Sequence, residues 1–349
     1  MRASGIQLCE DASVGDGNLS SGTQRARLGF GCVKLGSIST GDAGRGATRL
    51  IHAAVDAGVT FFDTADAYGA GISERILGQG LGSRRATVIV ATKAGYIFRE
   101  RRPLERAVRR VAAPVIGKLR SAVQSPSAGI PHGGSSGAYA AQDFSPAHLR
   151  RAVDDSLHRL GTDYIDVLQL HGPATVCPDE TFELLDELVR VGKVRELGVG
   201  LEHVDHAAAW LSSGRVTRMQ LPFGILDPEA RASVFPVAER CGVELILRGI
   251  FGSGLFNAES AGDGTGPNDA KIRFVMQLRT LAESHGVTVH QLAVWWILAQ
   301  PEARTVLVGI NSLDHLMSTV RYFETPLADA SLVAAIDDLI VSHNSPDPQ

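Results

Sequence analysis

Cysteine is scarce in this chain of 349 residues, with Cys9, Cys32, Cys177 and Cys241 spread far apart. No two of them lie at metal-ligand spacing, and so few cysteines argue against a disulfide scaffold. We therefore expect no metal centre and a reducing location, the cytoplasm. A strong charge is also missing, because 34 Lys and Arg face 38 Asp and Glu. The net charge of −4 excludes sequence-wide attraction to nucleic acid or an anionic membrane.

Long apolar runs are missing as well. No stretch approaches the roughly 18 apolar residues of a membrane-spanning helix. The N-terminus has no apolar signal-peptide segment and soon becomes acidic, which argues against secretion. Residues 1–23 are rich in Gly and Ser and predict a flexible arm. We expect one domain over residues 24–345.

From about residue 26, short apolar runs alternate with helical patterns. Continuous runs of this kind predict strands that are buried on both faces. The runs cover residues 28–33, 59–62, 87–92, 164–170, 194–199, 218–221, 243–247 and 305–308. Helices are predicted over residues 47–57, 72–81, 146–160, 179–191, 204–212, 228–241, 289–299 and 313–320, with a final one over 328–341. Ser145 as a cap and Pro146 in the first turn mark one helix start.

Eight strands that alternate with eight helices predict an α/β fold, the (β/α)8 TIM barrel. A doubly wound sheet is the rival, but it usually has fewer strands and a glycine-rich turn after the first one. The first run here, L-G-F-G-C-V-K-L-G, lacks the G-x-G-x-x-G pattern. Residues 96–143 do not fit the alternation, and we interpret them as a long insertion after the third strand.

Four polar residues follow predicted strands. Asp63 ends the second strand, Tyr68 lies in the next loop, Lys93 ends the third strand and His171 ends the fourth. A TIM barrel brings the carboxyl ends of its strands to one rim. A nearby ammonium should lower the pKa of a phenol, a carboxylate can orient that ammonium, and an imidazole can hydrogen-bond a carbonyl. The set suits protonation of an oxygen while hydride arrives at carbon.

Each of these residues also has an ordinary structural interpretation. Asp63 can cap a loop, Tyr68 can be a half-buried aromatic, Lys93 can form an ion pair and His171 can be a structural histidine. One catalytic hypothesis explains all four at the same rim. Two other functions stay open: a Schiff-base enzyme with Lys93 as nucleophile, and a non-enzymatic nucleotide-binding subunit that senses redox state.

The segments F-F-D-T-A-D-A-Y-G, A-T-K-A-G, S-L-H-R-L-G-T-D-Y-I-D-V-L-Q-L-H-G-P and L-V-R-V-G-K-V-R-E-L-G-V-G resemble the aldo-keto reductases. The resemblance runs from Arg27 to Ala328, outside the insertion. It implies a (β/α)8 barrel that uses NADPH or NADH without a Rossmann domain. It also implies a small carbonyl or alcohol substrate and a monomer or small homo-oligomer.

The resemblance further implies cofactor contacts. Gln220 matches the residue that hydrogen-bonds the nicotinamide carboxamide. The loop over the pyrophosphate matches Ser253, Gly254 and Leu255. The adenosine-phosphate end matches Gly309, Asn311, His315, Ser318 and Thr319.

The sequence departs from the family pattern at several positions. After the fifth strand Gly200 and Leu201 replace the usual Ser and Asn, so two side-chain contacts to the nicotinamide are missing. Arg248 stands where many members stack a Tyr. Many NADPH users place Arg or Lys where this chain has Gly309 and His315, which leaves the choice between NADPH and NADH open.

The insertion resembles that of the branch acting on aldoses and similar polar carbonyl or lactol substrates. Its first half is rich in arginine and carries apolar residues at helical spacing. We expect this half to cap the pocket, with its arginines on a solvated face rather than against an acidic partner.

Overall fold

The computed structural model describes residues 27–35, 45–97, 141–258, 268–325 and 330–344. The strands, numbered along the chain, are β1 Arg27–Gly31, β2 Phe61–Asp63, β3 Ile89–Ala94, β4 Tyr96–Ile97, β5 Ala141–Gln142, β6 Ile165–His171, β7 Val194–Gly200, β8 Arg218–Pro222, β9 Glu244–Arg248 and β10 Ala303–Gly309. β4 and β5 form a separate antiparallel pair. The other eight close into a parallel barrel in which β1 pairs with both β2 and β10. The predicted (β/α)8 barrel is confirmed.

Helices follow the barrel strands. They are α1 Arg45–Asp56, α2 Ile72–Leu81, α3 Pro146–Leu160, α4 Asp179–Arg190, α5 Ala207–Ser213, α6 Ala230–Ser233, α7 Phe235–Arg240, α8 Asp269–Ser284, α9 Val289–Leu298, α10 Leu313–Glu324 and α11 Ala330–Asn344. Short 3-10 segments cover Cys32–Lys34, Gly82–Thr87, Val204–His206 and Gly252–Asn257. The main apolar cluster joins helix residues to strand residues, so it lies between the helices and the outer face of the barrel.

α3 begins and ends as its sequence predicts. The Ser145 hydroxyl accepts a hydrogen bond from the His148 N–H, and Pro146 occupies the first turn, where no backbone donor is needed. Gly161 ends the helix at φ +64°, a conformation that favours glycine. These local signals fix the helix between β5 and β6.

The predicted single helix over residues 228–241 is wrong, because two short helices, α6 and α7, take its place. Pro236 lacks an N–H, and its ring would clash with the carbonyl of the residue four positions earlier in a continuous helix. The helix is interrupted at Val234, two residues before this proline.

α8 is a helix that we did not predict. It buries Phe274, Val275, Leu278 and Ala282, which recur at spacings of three and four residues. The pattern is local and was present in the sequence.

The barrel interior is built in layers. Its apolar layer consists of Phe61, Ala91, Val167, Ile246 and Leu307. Successive side chains of a strand point to opposite faces, so the residue two positions later faces the same interior. On four of these strands that later residue is polar: Asp63, Lys93, Gln169 and Arg248. The next layer towards the carboxyl ends is therefore polar, and TIM barrels carry their active sites at these ends.

Two predicted segments fall outside the described residues. They are the N-terminal arm over residues 1–23 and the helical cap in the first half of the insertion. Among the helices described, none is long and apolar enough to cross a membrane. The same residues contain no group of three His, Cys, Asp or Glu side chains placed to hold a metal ion.

Candidate active site

Strand register brings the four predicted polar residues together. Lys93 lies opposite Gln169 in the β3–β6 pairing, and His171 follows two positions later on β6. The Tyr68 hydroxyl lies 3.4 Å from Lys93 Nζ. The ring centroids of Tyr68 and His171 are 6.0 Å apart. With Asp63 beside Lys93, the tetrad forms one cluster at the carboxyl rim.

Lys93 forms a buried salt bridge with Asp63. Its Nζ lies 2.8 Å from Oδ1 and 2.6 Å from Oδ2, and it also donates to the Thr64 carbonyl at 3.0 Å. Asp63 Oδ1 accepts two further hydrogen bonds, from Gln169 Nε2 at 3.0 Å and Gln220 Nε2 at 2.9 Å. Burial acts to lower the pKa of Lys93, but Asp63 and Tyr68 outweigh it and raise that pKa. The lysine therefore stays charged inside the barrel.

The net pKa of Tyr68 is raised, although Lys93 acts to lower it as we expected. Burial is the largest cause and raises the pKa, while Lys93 acts in the opposite direction without overcoming it. We had counted the charge of the ammonium and omitted the cost of burying a phenolate. The Tyr68 hydroxyl is consequently protonated at neutral pH and able to donate a proton.

His171 is nearly inaccessible, with 8% of its surface exposed. Burial lowers the pKa of its imidazole well below the usual value, and Lys93 and Arg248 lower it further. Nδ1 is buried and has no hydrogen-bond partner among the described residues. The imidazole is therefore neutral at neutral pH.

Arg248 adds positive charge at the same rim. Its guanidinium donates to the Leu201 carbonyl at 2.8 Å and to Glu202 Oε2 at 3.0 Å. Its charge lowers the pKa of both Tyr68 and His171, as a smaller effect than burial or Lys93. The rim thus carries a fixed guanidinium–carboxylate pair beside the tetrad.

A buried polar network supports the loop that carries Tyr68. Glu74 accepts hydrogen bonds from Arg159 Nε and from the Thr92 hydroxyl, both at 2.6 Å. Thr92 directly precedes Lys93, so the network joins α2 and α3 to β3. Asp66 lies nearby, where burial and then Glu74 raise the pKa of its carboxyl well above the usual value.

The residues assigned to a nucleotide lie at two places on the rim. Gln220 is buried, and its Nε2 donates to Asp63 Oδ1. Ser253, at φ +55°, and Gly254, at φ +102°, shape an exposed turn after β9. Leu255 in the same turn is half-buried.

The second place is the start of α10. Gly309 ends β10, and a Cβ built there would meet open space. His315 Nδ1 lies 3.3 Å from Asn311 Oδ1, which places both side chains at the helix start. Ser318 is exposed, whereas the buried Thr319 donates its hydroxyl to the His315 carbonyl. Gly309 and Asn311, just before the helix, and Ser318 are therefore exposed, His315 is half-buried and Thr319 is buried.

Three residues that we did not single out also contact the tetrad. Gln169 bonds Asp63, the Tyr96 ring packs on His171, and Gln142 Nε2 donates to the His171 carbonyl. Alternation along β6 could have revealed Gln169, because it shares the inward face of His171. Tyr96 and Gln142 gave no local signal, since their positions depend on the pairing of β4 with β5.

A parallel eight-stranded barrel with a buried Lys–Asp pair, a phenol and a neutral imidazole at its carboxyl rim is the arrangement that the resemblance to the aldo-keto reductases predicts. The sequence matches the aldo/keto reductase family over residues 27–341. The chain belongs to this family and is an oxidoreductase, and the recognised resemblance is confirmed. The nicotinamide nucleotides NADPH and NADH are the cofactors of the family.

Individual relatives agree with this family assignment. The chain is 29% identical to aldo-keto reductase YhdN of Bacillus subtilis, covering 85% of this chain and 84% of that protein. It is 26% identical to D-threo-aldose 1-dehydrogenase of Pseudomonas, covering 88% and 94%. Among solved structures, the holo form of aldo-keto reductase AKR11C1 from Bacillus halodurans matches with a TM-score of 0.71 at 28% identity, over 90% of this chain and 92% of that one.

Proposed function

We propose that this protein interconverts a carbonyl compound and an alcohol, with Tyr68 as the general acid and base. The observation that carries the proposal is the continuous contact from Asp63 through Lys93 to the Tyr68 hydroxyl, beside His171. A bound NADPH or NADH supplies or accepts the hydride.

In the reducing direction, the Tyr68 hydroxyl gives its proton to the carbonyl oxygen as that oxygen gains charge. Lys93 stabilises the phenolate that is left, and Asp63 holds the ammonium in place. His171 donates a hydrogen bond that orients the carbonyl. In the oxidising direction, the phenolate accepts the alcohol proton. One hydride and one proton thus convert the carbonyl into the alcohol.

The residues present fit a nicotinamide nucleotide. Gly309 leaves open space at the rim, and the first turn of α10 offers backbone N–H groups that favour a phosphate. Ser312 caps this helix by accepting the His315 N–H, and further donors of that turn are available. We propose NADPH as the cofactor, with NADH as the alternative. The contacts are Gln220, Ser253, Gly254, Leu255, Gly309, Asn311, His315, Ser318 and Thr319.

We propose a polar, hydroxylated carbonyl or lactol as the substrate. The relation to a D-threo-aldose 1-dehydrogenase supports this class. So does the Arg248–Glu202 pair at the rim, since a guanidinium and a carboxylate can hydrogen-bond hydroxyls. The protein would act as a monomer or small homo-oligomer.

The geometry disfavours a Schiff-base enzyme. A nucleophilic lysine needs a lowered pKa, so that its amine is uncharged. The pKa of Lys93 is raised, and its ammonium is enclosed by Asp63, Thr64 and Tyr68. A redox-sensing subunit would instead bind nucleotide with negligible turnover.

The test is a panel of aldoses, small aldehydes and polyols, assayed with NADPH, NADH and their oxidised forms through the near-ultraviolet absorbance of the reduced nicotinamide. Turnover that is lost in Tyr68→Phe supports the proposal. Nucleotide binding without turnover of any compound would favour the sensing subunit. Covalent trapping of a substrate on Lys93 by borohydride would favour the Schiff-base enzyme.

A further inference from the structure

The stem of the insertion, made of β4 and β5, lies against His171. Tyr96 pairs with Gln142, and Ile97 pairs with Ala141. The Asp143 N–H donates to the Gly95 carbonyl at 2.8 Å and extends the pairing towards the barrel. The stem is therefore hydrogen-bonded to the residue that follows β3, two positions after Lys93.

Tyr96 packs its ring against the imidazole of His171. The ring centroids are 4.7 Å apart and the planes meet at 82°. Tyr68 approaches the same imidazole at 6.0 Å and 83°. Edge-to-face aromatic contacts at such separations are favourable. Two tyrosine rings thus contact the imidazole, and Tyr96 makes the closer contact.

Gln142 holds the backbone at the same point. Its Nε2 donates to the carbonyls of His171, at 2.9 Å, and Gly172, at 3.1 Å. The Tyr96 phenol hydrogen-bonds with the Gln142 side chain. Gly172 has φ +71°, and a Cβ there would lie 3.3 Å from Gln142 Nε2 and 3.4 Å from the Tyr96 hydroxyl. The close fit of the stem therefore favours glycine after His171.

We propose that Tyr96 and Gln142 are positioning residues that hold His171 in the neutral form with its proton on Nε2, ready to orient a substrate carbonyl. The inference rests on the proposed function, which gives His171 that role. Nδ1 is buried without a partner among the described residues, and a buried N–H without an acceptor is rare. The proton therefore belongs on Nε2.

The charged groups around His171 act with the stem. Burial is the largest cause that lowers the pKa of His171, and Lys93 on β3 and Arg248 on β9 add to it. Glu202 follows β7 and, after burial, raises the pKa of Tyr96. Both tyrosines are therefore uncharged at neutral pH. Since burial has the largest effect, removing the Tyr96 ring should change the titration of His171 more than any change on the exposed side of the stem.

The first test needs no substrate. The titration of His171 is followed by proton–nitrogen NMR in the full-length protein, with His171→Gln to assign the signal. Tyr96→Leu should raise the pKa of His171 towards the ordinary value of about 6.5, because water reaches the ring. Tyr96→Phe keeps the ring, and Ile97→Ala changes a partly exposed neighbour on the same strand, so both should leave the titration unchanged. An unchanged titration in folded Tyr96→Leu overturns the proposal.

The second test uses turnover. Tyr96→Leu and Gln142→Ala should each lower kcat about 2- to 10-fold with little change in KM, the loss expected for one aromatic contact or hydrogen bond. The acidic limb of the kcat profile should move to higher pH in Tyr96→Leu. A higher KM with an unchanged His171 titration makes Tyr96 a substrate contact and overturns the positioning role. If the wild type turns over nothing, the proposed function fails, whereas the NMR titration still decides the positioning of His171.

Discussion

Asp63 accepts hydrogen bonds from Lys93 Nζ with both of its carboxylate oxygens, at 2.8 and 2.6 Å, inside the barrel. Both residues are almost fully buried. Because an ammonium in this position has little water to solvate it, the carboxylate decides whether it stays charged. This one pair therefore links the stability of the barrel to Tyr68, the proposed proton donor beside it.

Asp63→Asn should lower the free energy of unfolding by about 3–5 kcal/mol, because it leaves a buried ammonium without its counter-charge. The pKa of Lys93 is raised in the folded protein, so its stabilisation is complete below the ordinary value of 10.5 and is lost as pH rises through the folded value. Urea unfolding at neutral and alkaline pH measures both effects. Asp56→Asn, which breaks the exposed bridge to Arg84, should cost less than about 1 kcal/mol.

Tyr68→Phe should lower kcat by about 100- to 10,000-fold, the contribution of a positioned general acid. Nucleotide affinity should stay near that of the wild type, because the hydroxyl is proposed to act on the substrate. Tyr164→Phe is the control. Tyr164 contacts Arg85 and Arg195 and directly precedes β6, at the end of the strand opposite the carboxyl rim. A Tyr68→Phe enzyme that keeps its kcat would show that another group supplies the proton.

The lowered pKa of His171 predicts a loss of stability in acid. Above about pH 6.5 the imidazole is neutral in both the folded and the unfolded chain, so its contribution is complete. As pH falls below that value, His171 gains a proton in the unfolded chain but stays neutral in the folded protein. The free energy of unfolding therefore falls by up to about 1.4 kcal/mol per pH unit. The free energy of unfolding, measured with urea between about pH 7 and pH 5, should therefore fall less steeply with decreasing pH for His171→Gln than for the wild type. Identical slopes for the two proteins would contradict the prediction.

Arg159→Met should destabilise the protein by about 3–5 kcal/mol, because Glu74 is fully buried and would lose its counter-charge. The matched control is Arg150→Met on the same helix. Its partner Glu187 is solvent-accessible, and breaking that pair should change the free energy of unfolding little. Thermal and urea unfolding distinguish the two. A similar cost for both variants would mean that the buried pair contributes no more than the surface pair.

His315→Glu should weaken the binding of NADPH more than that of NADH, because a carboxylate at the start of α10 repels the additional phosphate of NADPH. The expected loss of NADPH affinity is about 10-fold or more, from the repulsion of like charges at close range. Fluorescence titration with both nucleotides measures it, and His285→Glu on an exposed helix end is the control. Unchanged NADPH affinity would place the adenosine phosphate elsewhere.

The sequence alone determined the barrel and the placement of its four polar residues. The alternation of buried runs and helical patterns is local, and parallel strands bring their carboxyl ends to one rim wherever they close. Asp63, Lys93 and His171 each follow directly from a strand end. Ser145, Pro146 and Gly161 likewise fix α3 through contacts within a few residues.

Only the tertiary structure decided the electrostatics and the support of the site. The direction of the Tyr68 pKa depends on burial, which is set by packing from strands distant in sequence. Gln220 on β8 reaches Asp63 on β2 because the closed barrel brings these strands together around one interior, although the two residues are 157 positions apart along the chain. Tyr96 and Gln142 reach His171 because β4 and β5 pair across the insertion, a long-range contact that no local pattern encodes.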